Sequence, residues 1–203
     1  KSGNTIETLA NANILIKKND RNIFITENKI NQLHLLGENL KAKIIHHNNF
    51  IGGRYSVLSE VGMVPAELMG LNINYFRQFN SLIKNKFFFN KLINNVAGIF
   101  NLIRNKKFNS IIINYDESSD NLFKWYQQLV AESLGKKNKG LLPIISTMPK
   151  DNHSVMQLYL DGFKNNFFTF FYVCETKSDK INNSKLMHQQ KIFKNKKISD
   201  IIY

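Results

Sequence analysis

Cysteine is almost absent from this sequence. The lone Cys174 excludes an internal disulfide framework and a metal cluster built from several cysteines, which suits a reducing, cytoplasmic setting. No apolar run approaches the roughly 20 residues of a membrane span, and no secretory signal opens the chain. Acidic residues are few: 15 Asp and Glu stand against 28 Lys and Arg, for a formal net charge of +13. Such a balance attracts phosphates, on nucleic acid or on small metabolites. The lysines are scattered among asparagine and isoleucine, however, and only Lys191 to Lys197 forms a basic cluster. No basic-aromatic module accompanies the charge, so a nucleic-acid role is not expected. An initiator methionine is also missing. The sequence runs from Lys1 to Ile201-Ile202-Tyr203 and reads as a fragment of a longer protein.

What is present is a core. The 203 residues are 43% hydrophobic, enough to bury apolar surface and unlike a disordered tail. Strand-like and helix-like segments alternate, which predicts an α/β sheet with helical crossovers. Leu9, Ala12 and Ile16 recur at helical spacing. Asn22 to Thr26 reads as a strand, Ile30 to Leu40 as a helix, and Ala42 to His46 as the next strand. The middle, from Ala66 to Arg104, reads as helical. Leu122, Trp125, Leu129 and Glu132 predict a helix from Asp120 to Leu134, broken at Gly135 to Gly140. Leu141 to Ser146 resumes as a strand, and a helix is expected from His153 to Leu160. The continuous apolar runs Ile111-Ile112-Ile113 and Phe167 to Val173 suit strands covered on both faces. No repeat of fixed period occurs. The stretch from Lys177 to Lys197 reads as an insertion or a mobile surface region.

Four segments could carry chemistry. Lys1-Ser2-Gly3-Asn4-Thr5-Ile6-Glu7-Thr8 opens the first helix with small polar residues. A helix start presents unpartnered N–H groups and partial positive charge, so it can hold a phosphate; simple N-capping is the plainer reading. Gly52-Gly53-Arg54-Tyr55-Ser56 places an arginine directly after two residues without side chains. Its planar charged fork can meet a phosphate or an enolate-like oxygen, although a turn with a solvated arginine would look the same. Gln128 and Glu132 lie four apart and share a helix face, where a glutamate is ordinarily solvated. His153 follows Asp151-Asn152 at an expected helix start and could exchange protons near neutral pH, or simply cap. His46-His47 has no third ligand nearby and reads as structural.

Taken together, these segments resemble the phosphoglucose isomerase family, in family order. The carrying motifs are Phe50-Ile51-Gly52-Gly53-Arg54-Tyr55-Ser56-Val57-Leu58-Ser59-Glu60-Val61-Gly62, Gln128-x-x-x-Glu132-Ser133-x-Gly135-Lys136, and the polar pair before His153-Ser154 with Gln157. The opening loop resembles the phosphate loop of sugar isomerase (SIS) domains, with Gly3-Asn4 where many members carry an aromatic and a threonine. The resemblance covers Lys1 to about Gly162 and weakens after Val173. It implies a three-layer α/β/α fold of SIS-type parallel sheets, in two incomplete subdomains. Residues 1–65 would be the C-terminal portion of the first, 66–105 a helical connector and 106–203 the truncated second. It implies an aldose–ketose isomerase acting on glucose 6-phosphate and fructose 6-phosphate without cofactor or metal. Lys1, Ser2, Thr5 and Thr8 would grip the phosphate with Gly3 and Asn4 supplying backbone, and Gly53 and Gln128 would contact substrate. Glu132 would be the base and Arg54 the stabiliser of the enediolate. His153 would help open the sugar ring from across a homodimer interface. The family's C-terminal active-site lysine segment, and the segment preceding the phosphate loop, are missing. A non-catalytic SIS module that senses sugar phosphates is the alternative; it would not need Gln128, Glu132, Arg54 and His153 together.

Overall fold

The structure, a computed structural model, describes residues 2–17, 20–174 and 196. Most of the Lys177–Lys197 stretch, and Lys1, therefore lie outside the described residues. The chain divides into two compact units, Lys1–Leu92 and Ile93–Tyr203.

In the first unit, α1 (Ile6–Leu15) is followed by β1 (Ile23–Glu27), α2 (Gln32–Asn39) and β2 (Lys43–His47). β1 and β2 pair in parallel, Phe24 opposite Ile44 and Thr26 opposite His46, so a crossover is obligatory and α2 supplies it. The helix lies close on the sheet because Gly37 has no side chain: a Cβ there would be 3.2 Å from Ile44 Cδ1 and 3.4 Å from the Phe24 ring. Leu33 and Phe24 are buried beside it. A six-residue 3-10 turn, Gly53–Leu58, leads into α3 (Glu60–Leu68), followed by α4 (Ile73–Arg77) and α5 (Asn80–Lys84). The helical middle expected from the sequence is thus helical but interrupted. Gly70, at φ +78°, and the side-chain caps from Asn72 and from Asn85, whose Oδ1 accepts from the Phe88 N–H, divide it into short pieces. α6 (Lys86–Arg104) crosses the boundary between the units.

The second unit is a parallel sheet in the order β4-β3-β5. Its strands are β3 (Asn109–Asn114), β4 (Leu142–Thr147) and β5 (Asn166–Phe171), with α7 (Asp120–Leu134) between β3 and β4 and α8 (Met156–Asp161) between β4 and β5. The first crossover moves one strand outward and the second returns across β3 to the opposite edge. Right-handed connections running in opposite directions put their helices on opposite faces. The side chains agree. On one face Ile111, Ile113 and Met148 form a core against Ile144, Met156 and Tyr159, with the Tyr159 ring near Phe168. On the other, Phe123 of α7 meets Phe171 edge-on, with 4.8 Å between ring centroids. This is the three-layer arrangement, with parallel strands and helical crossovers as expected.

Two expectations need correcting. β3 is covered on both faces, but β5 is not: Phe168, Thr169 and Phe170 are exposed, because β5 lies at an edge of the described sheet. The helix expected from His153 starts later, at Met156, after a 3-10 turn over Lys150–Asn152. Asp151 accepts hydrogen bonds from the Thr147 N–H (2.9 Å) and the Ser154 hydroxyl (3.1 Å), and such local bonds compete with helix formation.

Ile111, fully buried at the centre of β3, is the sharpest test of this core. Ile111→Ala should cost about 2–5 kcal/mol, measured as a lower denaturation midpoint at unchanged slope.

Candidate functional site

In open parallel sheets, ligands bind beyond the carboxyl ends of the strands. In the first unit three loops gather there: the opening loop, the loop after β1 and the Gly52-Gly53-Arg54 turn after β2. The latter two are tied by the Asn28 N–H donating to Asn49 Oδ1 at 3.0 Å.

Helix starts decide which part of this edge is open. α2 has its first three N–H groups satisfied: Gln32 donates to Asn4 Oδ1 (3.1 Å), Leu33 to the Gly3 carbonyl (3.0 Å) and His34 to Asn31 Oδ1 (2.9 Å). Asn31 is buried and its amide also donates to Thr26 Oγ1 at 3.0 Å and the Lys29 carbonyl at 2.8 Å. α1 is different. Its N-cap, Thr5, makes no side-chain capping bond, and the N–H groups of Ile6, Glu7 and Thr8 have no partner among the described residues. Ser2, Thr5 and Thr8 are exposed around them. The plain capping role open to Thr5 is therefore not taken, and an anion fits such a start.

The glycines differ too. Gly3 is buried at φ +71°, and a Cβ there would fall 1.9 Å from Asn31 Oδ1 and 2.7 Å from Thr26 Oγ1. The protein's own packing requires this glycine. Gly53 has nothing within 4 Å of its Cβ position, so no internal contact requires its missing side chain, and the open space leaves room for close approach from outside. Arg54 is half-buried with its guanidinium 5.1 Å from the Tyr55 ring centroid, a stacking that arginine's planar group favours.

In the second unit α7 separates its two glutamines. Gln127 Nε2 donates to the Pro143 carbonyl at 2.8 Å, fastening the helix to β4, while Gln128 Nε2 donates to Glu132 Oε1 at 2.8 Å on the exposed face. The i,i+4 pair expected from spacing is formed, and the amide restricts the carboxylate's rotamers. His153 is exposed at the end of its 3-10 turn. At the carboxyl ends of β3 and β4, Asp120 accepts from Asn114 Nδ2 at 2.7 Å and from Thr147 Oγ1 at 3.2 Å. Nearby, the hydrogen bond from the Ser119 hydroxyl, opposed by slight desolvation, holds the Asp116 carboxyl below the usual carboxylate range. No group of three His, Cys, Asp or Glu that could hold a metal occurs among the described residues, and no helix there is long and apolar enough to cross a membrane.

Of the supporting residues, the sequence marks His47 as structural, whereas Thr26, Asn31, Asp120 and Thr147 do not stand out as supports. Among these four, Asn31 carries a signal: an asparagine immediately before a helical apolar pattern is an N-cap candidate.

The fold and these motifs define an α/β protein of the SIS type. A family model for phosphoglucose isomerase matches residues 5–193. The glucose-6-phosphate isomerase of Methanocaldococcus jannaschii is 32% identical across 100% of this chain and 52% of the relative. That of Campylobacter jejuni is 34% identical over 85% of the chain and 46% of the relative. A hypothetical protein from Thermus thermophilus shares the fold at a TM-score of 0.80 and 23% identity, covering the whole chain and 53% of its own. The chain belongs to the phosphoglucose isomerase family and spans about half the length of the curated relatives it matches.

Gly3→Ala and Gly53→Ala separate packing from ligand approach. The first should lose about 1–3 kcal/mol from backbone strain alone, with the clash on Asn31 added. The second should stay within about 0.5 kcal/mol of wild type. Both are read by denaturant unfolding.

Proposed function

We propose that the protein containing this chain is an enzyme interconverting glucose 6-phosphate and fructose 6-phosphate in glycolysis and gluconeogenesis, through a cis-enediol(ate), without metal or organic cofactor. The observation that carries the proposal is the Gln128–Glu132 pair: an exposed carboxylate oriented by an amide 2.8 Å away, inside the family's Gln-x-x-x-Glu-Ser-x-Gly-Lys pattern. Moving a carbonyl from C1 to C2 requires one proton to leave C2 and one to arrive at C1. A single carboxylate within reach of both carbons can do both.

In this reading the start of α1, with Lys1, Ser2, Thr5 and Thr8, binds the phosphate, and Gly3 and Asn4 shape its loop. Anchoring the phosphate fixes the sugar carbons relative to Glu132, and positioning of this kind supplies up to about 7–11 kcal/mol in favourable intramolecular cases. Gly53 lets the substrate approach the turn, and Gln128 contacts it. Arg54 neutralises the enediolate oxygen, because its charge persists at any working pH. His153 assists ring opening, contributed across the interface of a homodimer. Residues 1–65 and 106–203 are parts of two SIS subdomains joined by the helical 66–105 segment. The whole protein works in the cytoplasm on sugar phosphates, with neither nucleic acid nor membrane as a partner.

In the full-length protein, Glu132→Gln should reduce turnover in a coupled fructose 6-phosphate assay by at least about 10²-fold, with sugar-phosphate binding retained. Unchanged turnover would remove Glu132 as the base. Arg54→Lys keeps the charge but loses the fork and should cost on the order of 10²–10³ in kcat; a near-normal rate would take arginine out of the mechanism.

A further inference from the structure

His47 is 1% exposed and belongs to none of the motifs above, yet it occupies the neck of the loop that carries Gly52-Gly53-Arg54. On one side, its Nε2 lies 3.4 Å from the carbonyl of Ile51, the residue before the glycine pair. On the other, its Nδ1 lies 3.1 Å from Glu60 Oε2 and 3.3 Å from Ser59 Oγ, where α3 begins. The Ser59 hydroxyl donates to the Ser56 carbonyl at 2.6 Å, so toward the ring it can only accept, and Nδ1 carries a proton. Ser56 Oγ in turn donates to the Gly53 carbonyl at 2.6 Å. A continuous path of hydrogen bonds therefore runs from the end of β2, through His47, Ser59 and Ser56, to the peptide that precedes Arg54. α3 presses on the same loop: a Cβ on Gly62 would lie 1.9 Å from the Val57 carbonyl oxygen.

We propose that His47 is a positioning residue for Arg54, a buried strut that converts a surface turn into a rigid mount. The inference rests on the isomerase reading above, in which Arg54 meets charge that develops during the reaction. Two consecutive glycines give a backbone more freedom than any other pair, whereas a transition-state contact must be held to about 0.5 Å. The ring is anchored in a strand, lies against the Ile51 end of the loop and is hydrogen-bonded through Nδ1 at the Ser59–Glu60 end, so it restricts that freedom without touching substrate. Loss of the strut should therefore affect turnover more than binding, since a displacement near 1 Å can cost on the order of 10²-fold in rate.

The experiment uses the full-length protein and fructose 6-phosphate. His47→Leu, which keeps much of the volume but no donor, should lower kcat about 10–100-fold with KM unchanged within about twofold. His47→Asn, which retains an N–H near the Nδ1 position, should recover most of that loss. In an Arg54→Lys background, His47→Leu should cost less than about threefold, because the group being positioned is gone. Unchanged kcat in His47→Leu, or a loss equally large in both backgrounds, overturns the inference while leaving the isomerase reading intact. Wild-type protein without isomerase activity overturns that reading itself, and the inference with it. Should His47→Leu fail to fold, Glu60→Gln takes its place: it weakens the acceptor on Nδ1, and its kcat loss must likewise disappear in the Arg54→Lys background.

Discussion

Every helix begins with N–H groups that its own carbonyls cannot reach, and at the edge of the first sheet this constraint arranges the chain. α2 is closed by a lid of three acceptors, two of them from the opening loop. For the Gly3 carbonyl to reach Leu33, the loop must lie on the buried amide of Asn31, and only a residue without a side chain fits there. Closing α2 in this way leads the chain straight into α1, whose own first N–H groups find no partner among the described residues. The loop thus satisfies one helix start and presents the other to solvent, beside exposed hydroxyls and in a chain of net charge +13.

The second unit solves a related problem with side chains. Asn114 and Ser146 are buried at the carboxyl ends of β3 and β4, and buried polar groups without partners are costly. Asp120 takes up Asn114 and the Thr147 hydroxyl; Tyr159 takes up Ser146 at 2.6 Å. The Thr147 N–H is taken by Asp151. Because Asp120 opens α7 and Asp151 lies in the turn before His153, satisfying the strand ends also sets the helix that carries Glu132 and the turn that carries His153. The same few hydrogen bonds that make burial of these strands tolerable hold these two segments to the sheet.

The two glutamines of α7 show how a one-residue step separates a side chain that fastens the helix from one on its exposed face. Gln127 looks toward β4 and fastens the helix. Gln128, about 100° further round the helix, looks outward and orients Glu132. A similar division holds between Gly3 and Gly53: the first is needed for packing, the second leaves open space. In both pairs identical residue types have different physical duties, and the duty follows from which side of the element faces the sheet.

By itself, the sequence determined the class of fold and the position of nearly every element, because hydrophobic periodicity is a local property: α7 spans Asp120–Leu134 as its spacing required, and β3 is the buried run of isoleucines. Family membership was legible as well, in short ordered motifs. The start of α8, the exposure of β5 and the breaks between α3 and α6 were decided by competing side-chain hydrogen bonds, by edge position and by a left-handed glycine, none of which periodicity records. Only the tertiary structure decided which helix start is closed, which glutamine faces out and what holds the Gly-Gly-Arg turn. Each of those depends on partners far along the chain, Gly3 on Asn31 and His47 on Glu60, and a hydrogen bond of one direction and about 3 Å reach exists only once folding has brought its two ends together.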